Sequence, residues 1–189
     1  MTRGRTKPEP SSLRPWRISV FAIYFASGIG ISAWLTRIPA ISERLELGPA
    51  AMGALLLTQT IAAFASVSTS GMTVMRLGAK RSIAVTASMV VMGMILIGVG
   101  VSVFGSVLVT AVGMLLFGLG SATWNVASNV EGTALETAMG RSIMPLMHAF
   151  FSIGTVTGAV VGSIATAGGV VGRLLPTLIG ESLESAPTT

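Results

Sequence analysis

Polar and apolar positions along this chain follow neither the period of a strand nor the stripe of a surface helix. They fall into long apolar tracts separated by short charged segments. Between successive charged residues lie 19 positions from Arg17 to Arg37, 29 from Glu46 to Arg76, 49 from Arg81 to Glu131 and 31 from Arg141 to Arg173. About 20 mostly apolar residues carry a helix across a hydrocarbon core roughly 30 Å thick. The first, second and fourth tracts each fit one crossing, and the third is long enough for two. The pattern predicts an all-α integral membrane protein of about five transmembrane helices, with spans at about 18–36, 50–70, 82–101, 107–127 and 144–167.

The segments between the spans are read as loops. Residues 37–49 include a short amphipathic helix from Ile38 to Leu45 lying at the surface. Residues 71–81 carry Arg76, Lys80 and Arg81 with no acid, and Ser102–Ser106 forms a short neutral hairpin. Residues 128–143 hold Glu131, Glu136 and Arg141. Residues 1–17 read as a disordered basic tail and 168–189 as a polar C-terminal tail, with the transmembrane domain at 18–167.

Composition removes the competing classes. Only 10% of the residues are charged and the mean hydropathy is +0.80, whereas soluble domains carry roughly a quarter charged residues. Too little polar chain exists to cover five helices that are apolar on nearly every face. The net charge of +5 is explained by basic residues collecting at cytoplasmic ends of spans. No Lys/Arg run is interleaved with aromatics, so nucleic acid is not an expected partner. Cysteine and Asp are absent and a single His stands without metal-ligand partners. No enzyme chemistry, cofactor or metal site is expected.

With the N-terminus inside, the inner segments carry five, three and one basic residues and the outer segments two, none and one. This bias predicts a multi-pass protein of the cell (inner) membrane with a cytoplasmic N-terminus. The first apolar tract is longer than a signal-peptide core and is followed by Trp34-Leu35-Thr36-Arg37 rather than a small-residue cleavage site, so it reads as a retained span.

Loop 71–81 reads Gly71-Met72-Thr73-Val74-Met75-Arg76-Leu77-Gly78-Ala79-Lys80-Arg81. It resembles the signature between spans two and three of the major facilitator superfamily. Gly71, Arg76, Gly78, Lys80 and Arg81 match; Met75 stands where the signature is acidic, which leaves the conformational latch implied by the family without its carboxylate. The segments Trp34–Ile41 and Gly140–Gly154, with Asn125, Asn129 and Glu131 ahead of the latter, resemble a bacterial sugar-permease-like inner-membrane branch. The resemblance covers roughly residues 17–170. It implies an incomplete N-terminal six-helix half of a twelve-span fold, with spans one, two, four and five lining a path and span three outside. A recurring pattern agrees: Gly28-x-Gly30-x-x-x-Trp34 ends span one and Gly118-x-Gly120-x-x-x-Trp124 recurs in span four, as inverted three-helix repeats require, although short matches also arise by chance among 23 glycines.

Polar groups inside spans are costly and face a cavity or a neighbouring helix. Asn125 and Asn129 share one face of span four, where their amides suit either a hydroxylated solute or interhelical bonding. His148 sits one turn into span five, suited to moving a proton or to pairing with Glu131 or Glu136. Gln59 is mid-span two and needs partners. Tyr24 and Trp34 suit stacking on a sugar ring, or anchoring at the interface. Gly154, Gly158 and Gly162 recur every fourth residue, a spacing that lets helices approach closely. Ala159, where proton-coupled drug antiporters have Pro, disfavours that activity.

These readings converge on a secondary transporter, a major-facilitator-like permease moving a small polar solute by alternating access. The lipid bilayer, the solute, and a second chain or self-association supplying the missing half are the expected partners. The alternative is a non-transporting helix-packing protein or an inactive transporter remnant.

Overall fold

The computed structural model describes residues 10–184, with side-chain surroundings from residue 13 to 165. It is helical throughout: α1 (Pro10–Leu35), α2 (Ile38–Arg44), α3 (Pro49–Leu77), α4 (Ala79–Val99) with a π-helical turn at Gly100–Phe104, α5 (Val107–Met139) and α6 (Met144–Glu184). Among the described residues five helices are long and apolar enough to cross a membrane. They are α1, α3, α4, α5 and α6.

Burial departs from that of a water-soluble bundle in its apolar exterior and its buried hydroxyls. Ser66, Ser70, Ser82, Thr86, Thr110 and Thr123 are buried, while Leu57, Ile61, Phe64, Val91, Val156 and Ile164 point outward. In lipid the outer surface has no need of polarity, whereas buried hydroxyls still need acceptors. Most find one in the preceding turn of their own helix, as Thr86 does at the Ser82 carbonyl and Thr110 at that of Ser106. One pair crosses: the Ser66 hydroxyl on α3 lies 2.6 Å from that of Thr123 on α5.

Glycines set the seams. A Cβ on Gly93 of α4 would meet the Gly113 carbonyl oxygen of α5 at 2.8 Å, and one on Gly113 would meet the Gly93 oxygen at 2.9 Å. Gly28 of α1 abuts the backbone of α6 at Phe151, and Gly154 and Gly158 of α6 abut α1 at Phe25 and Ile29. Gly162 packs on the Thr36 side chain. Gly118 of α5, the counterpart of Gly28 in the recurring pattern, abuts α3 at Gln59. The pairs α1 with α6 and α5 with α3 therefore repeat one contact with the roles exchanged. The second glycines differ. Gly120 packs on α4 at Thr86, whereas Gly30 has no neighbour within 4 Å among the described residues.

Two apolar clusters close the ends. Trp34, Ile41, Met52, Leu55, Ile97, Met114 and Phe117 gather where α1 ends and α3 begins. Val20, Tyr24, Leu135, Ile143 and Met147 gather where α1 and α6 begin.

The connections are shorter than the charge pattern predicts. Residues 71–77 are helical, and Gly78 alone, at φ 77° and ψ 154°, joins α3 to α4. That conformation is reserved for glycine. α5 continues through the expected loop to Met139, ending on left-handed Gly140. The Glu136 carboxylate then accepts from the Ile143 and Met144 amides at 2.8 and 2.7 Å, capping α6. The surface helix is α2, with Ile41 buried beneath it.

The ends differ from the tails read in the sequence. Helix α1 begins at Pro10, and its first turns dock where the Trp16 indole donates to Glu131 at 2.6 Å. α6 continues beyond residue 167 to Glu184. Residues 1–9 and 185–189, the outer parts of both tails, lie outside the described residues.

Candidate functional site

Four of the six polar and aromatic candidates meet between α1, α5 and α6. The Tyr24 hydroxyl of α1 donates to Asn129 Oδ1 of α5 at 2.9 Å. Asn129 Nδ2 donates in turn to the Asn125 carbonyl oxygen at 2.9 Å and to its side-chain Oδ1 at 3.1 Å. The His148 ring of α6 lies across Tyr24, with centroids 5.6 Å apart and planes tilted by 54°.

Helical geometry explains the convergence. Asn125 and Asn129 are one turn apart on α5. Tyr24 is one turn before Gly28, whose contact with α6 draws the helices together. Gly132 leaves room above: a Cβ there would stand 3.1 Å from the Tyr24 oxygen and 2.9 Å from Met147 Sδ.

The cluster grades from buried to open. Tyr24 is 5% exposed, Asn129 half-buried, and Asn125 and His148 exposed. A buried phenol thus holds one amide in place, and that amide orients a second, open one. The open side presents amide donors and acceptors and an imidazole. These groups suit a neutral, hydroxylated or otherwise polar molecule. His148 Nδ1 lies 3.1 Å from the Met144 carbonyl oxygen. Pairing of this ring with Glu131 or Glu136 does not occur, because Glu131 takes Trp16 and Glu136 caps α6.

Trp34 and Gln59 lie elsewhere. Trp34 is 3% exposed in the far apolar cluster, its ring 5.7 Å from that of Phe117. It is packed rather than stacked on open space or set at an interface. Gln59 stands on α3, and its Oε1 is buried with no hydrogen-bond partner among the described residues; Trp124 Nε1 and Ser128 Oγ share that state. In the sequence Trp124 stands out only as the end of the recurring glycine pattern, and Ser128 not at all, because an indole and a hydroxyl inside a span look like ordinary packing groups.

At the α3–α4 connection, Gly71, Arg76, Gly78, Lys80 and Arg81 are all exposed. Lys80 Nζ sits 5.8 Å from the Trp16 ring, tying the connection to the start of α1. Met75, at the acidic position of the resembled signature, is 87% exposed. Among the described residues no three His, Cys, Asp or Glu side chains cluster in a way that would hold a metal ion.

The chain is similar to a protein of Sinorhizobium fredii named an uncharacterized transporter, with 32% identity over 154 residues that make up 82% of this chain and 40% of the relative. It is also similar to a protein of Yersinia pestis named an uncharacterized MFS-type transporter, with 26% identity over 143 residues, 76% of this chain and 36% of the relative. The chain therefore spans less than half the length of these curated relatives. No family model and no solved structure matches it.

Proposed function

The chain is a relative of major-facilitator-type transporters with five helices able to cross a membrane, and from that premise we propose that it serves as part of a secondary transporter for a small polar solute, working by alternating access. The observation that carries this reading is the chain of hydrogen bonds from buried Tyr24 through Asn129 to open Asn125, beside His148. A bonded network of this kind, ending on unsatisfied amide capacity, fixes polar groups in advance of binding. Asn125 and His148 contact the solute, Tyr24 and Asn129 position them, and Gln59 offers its unpaired Oε1 from α3. Trp34 leaves the solute-contacting set.

In this reading the chain lies in the cell membrane with its N-terminus and the Arg76–Arg81 connection in the cytoplasm. The connection acts as the conformational switch, passing movement of α3 to α4 through Gly78, with its cations exposed beside the joint. The helices that complete the path come from further chain or from a second polypeptide.

The test uses purified chain screened for thermal stabilisation by sugars, polyols and amino acids, followed by uptake into proteoliposomes. The expected result is a solute that stabilises the wild-type chain and fails to stabilise Asn125→Ala of equal helicity. The reading is overturned if no solute stabilises the chain and no uptake occurs, either alone or with the uncovered part of the Sinorhizobium relative co-expressed.

A further inference from the structure

A concavity lies along the seam where α1 and α6 begin. Its volume is about 590 Å³, and its walls are apolar except for two guanidinium groups at one end, Arg17 and Arg141. Along α1 the wall runs from Arg17 through Phe21 to Phe25, and on α6 through Leu146 to Phe150. The Phe21 and Phe150 rings, both in its lining, have centroids 4.8 Å apart. From Arg17 to Phe25 the groove extends eight residues, about 12 Å along the helix axis.

Position and charge define what fits. Arg17 and Arg141 are the last charged residues before the apolar tracts of the first and last spans, so the groove begins at the edge of the hydrocarbon and runs inward. Neither arginine makes a hydrogen bond or ion pair among the described residues. The acids of this end are otherwise engaged, Glu131 by Trp16 and Glu136 by the α6 amides. Lys80 lies over Trp16 and adds to the positive field. Two unneutralised guanidinium groups above an apolar slot call for an anion joined to a hydrocarbon chain. Guanidinium matches phosphate oxygens in bidentate geometry, and basic pockets between membrane helices hold anionic headgroups. A free anion would satisfy the arginines and leave the aromatic walls without a partner.

We propose that this groove is a binding site for one anionic phospholipid, its phosphodiester held by Arg17 and Arg141 and an acyl chain lying along Phe21, Phe25, Leu146 and Phe150. The site is separate from the Tyr24–Asn129 cluster and rests on membrane placement alone, not on transport. It spans the α1–α6 seam, so an occupied groove fastens those two helices together.

Native mass spectrometry of the detergent-purified chain tests this, with phosphatidylglycerol, phosphatidylcholine or inorganic phosphate added. The expected result is one retained phosphatidylglycerol per chain, weakened about 30-fold in Arg17→Gln/Arg141→Gln at about tenfold per 1.4 kcal/mol. The control Arg44→Gln, on α2 beyond the far end of α1, retains the lipid. Leu146→Trp, which keeps both charges and fills the slot, also loses it at unchanged helicity. Equal retention of phosphatidylcholine, an unaffected double variant, or displacement of the lipid by inorganic phosphate at equal concentration each overturns the proposal. Loss of helicity in the double variant transfers the decision to Leu146→Trp, whose retained lipid likewise overturns it.

Discussion

Gly28 of α1 and Gly154 of α6 face one another so closely that a Cβ on either would collide with the backbone of the opposite helix. Gly28→Ala is expected to push the helices apart, at about 1–3 kcal/mol for overpacking. Gly30→Ala, two residues on and with nothing within 4 Å among the described residues, is expected to be neutral or slightly stabilising. Unfolding midpoints of the two variants in one detergent separate these outcomes.

Tyr24→Phe removes one hydrogen bond to Asn129 and keeps the ring against His148. Side-chain bonds between membrane helices average about 0.6 kcal/mol, so a small stability loss is expected. Solute-induced stabilisation should fall by more than this, because Asn129 loses the phenol that orients it. Asn125→Ala, at an exposed position, should leave stability nearly unchanged and remove the solute response. Matched denaturation and solute-titration curves check both.

Glu136 ends the α5–α6 turn by accepting two amides and the Ser142 hydroxyl. Replacing it with Ala strips those amides of their acceptor, so faster hydrogen exchange at Ile143 and Met144 is expected. Glu136→Gln should show an intermediate rate, since its amide oxygen still accepts but carries no charge to favour a helix N-terminus.

Gly78→Ala forces a Cβ into a backbone region open essentially to glycine alone, at a cost of about 1–3 kcal/mol. Gly71→Ala, in the middle of helical backbone with open space beside it, is expected to be tolerated or to stabilise. Comparing their midpoints isolates backbone strain from helix propensity.

The absence of cysteine allows topology to be read with single thiols. Cysteine at Arg81 is expected to react with a membrane-impermeant reagent only after permeabilisation. Cysteine at Glu46, between α2 and α3, is expected to react from outside in intact cells. The reverse pattern would invert the proposed orientation.

The spans were legible because hydrocarbon excludes charge, and charge-free tracts are visible in any sequence. Helix lengths were not. The tract after Glu46 marks where lipid contact ends, but α3 carries on through Arg76, because backbone hydrogen bonding continues into the headgroup region and arginine is a good helix former. The loop at 128–143 was overestimated for the same reason: Glu131 is buried under Trp16 inside a continuing helix. Asn125 and Asn129 on one face of α5 followed from helical periodicity. Their meeting with Tyr24 depends on how three helices cross, which no local pattern encodes. Trp34 shows the limit of reading aromatics near span ends as interface anchors, since a neighbouring Phe117 is enough to draw such a ring into the interior.

Gly78 has a consequence for how the bundle can deform. A connection of several residues lets two rods swing independently, because slack in the linker absorbs their relative angle. A one-residue joint has no such slack. Any tilt of α3 passes to α4 through a single pair of dihedral angles, and from there to α5 through the glycine seam, so these three rods are geared to turn as one body.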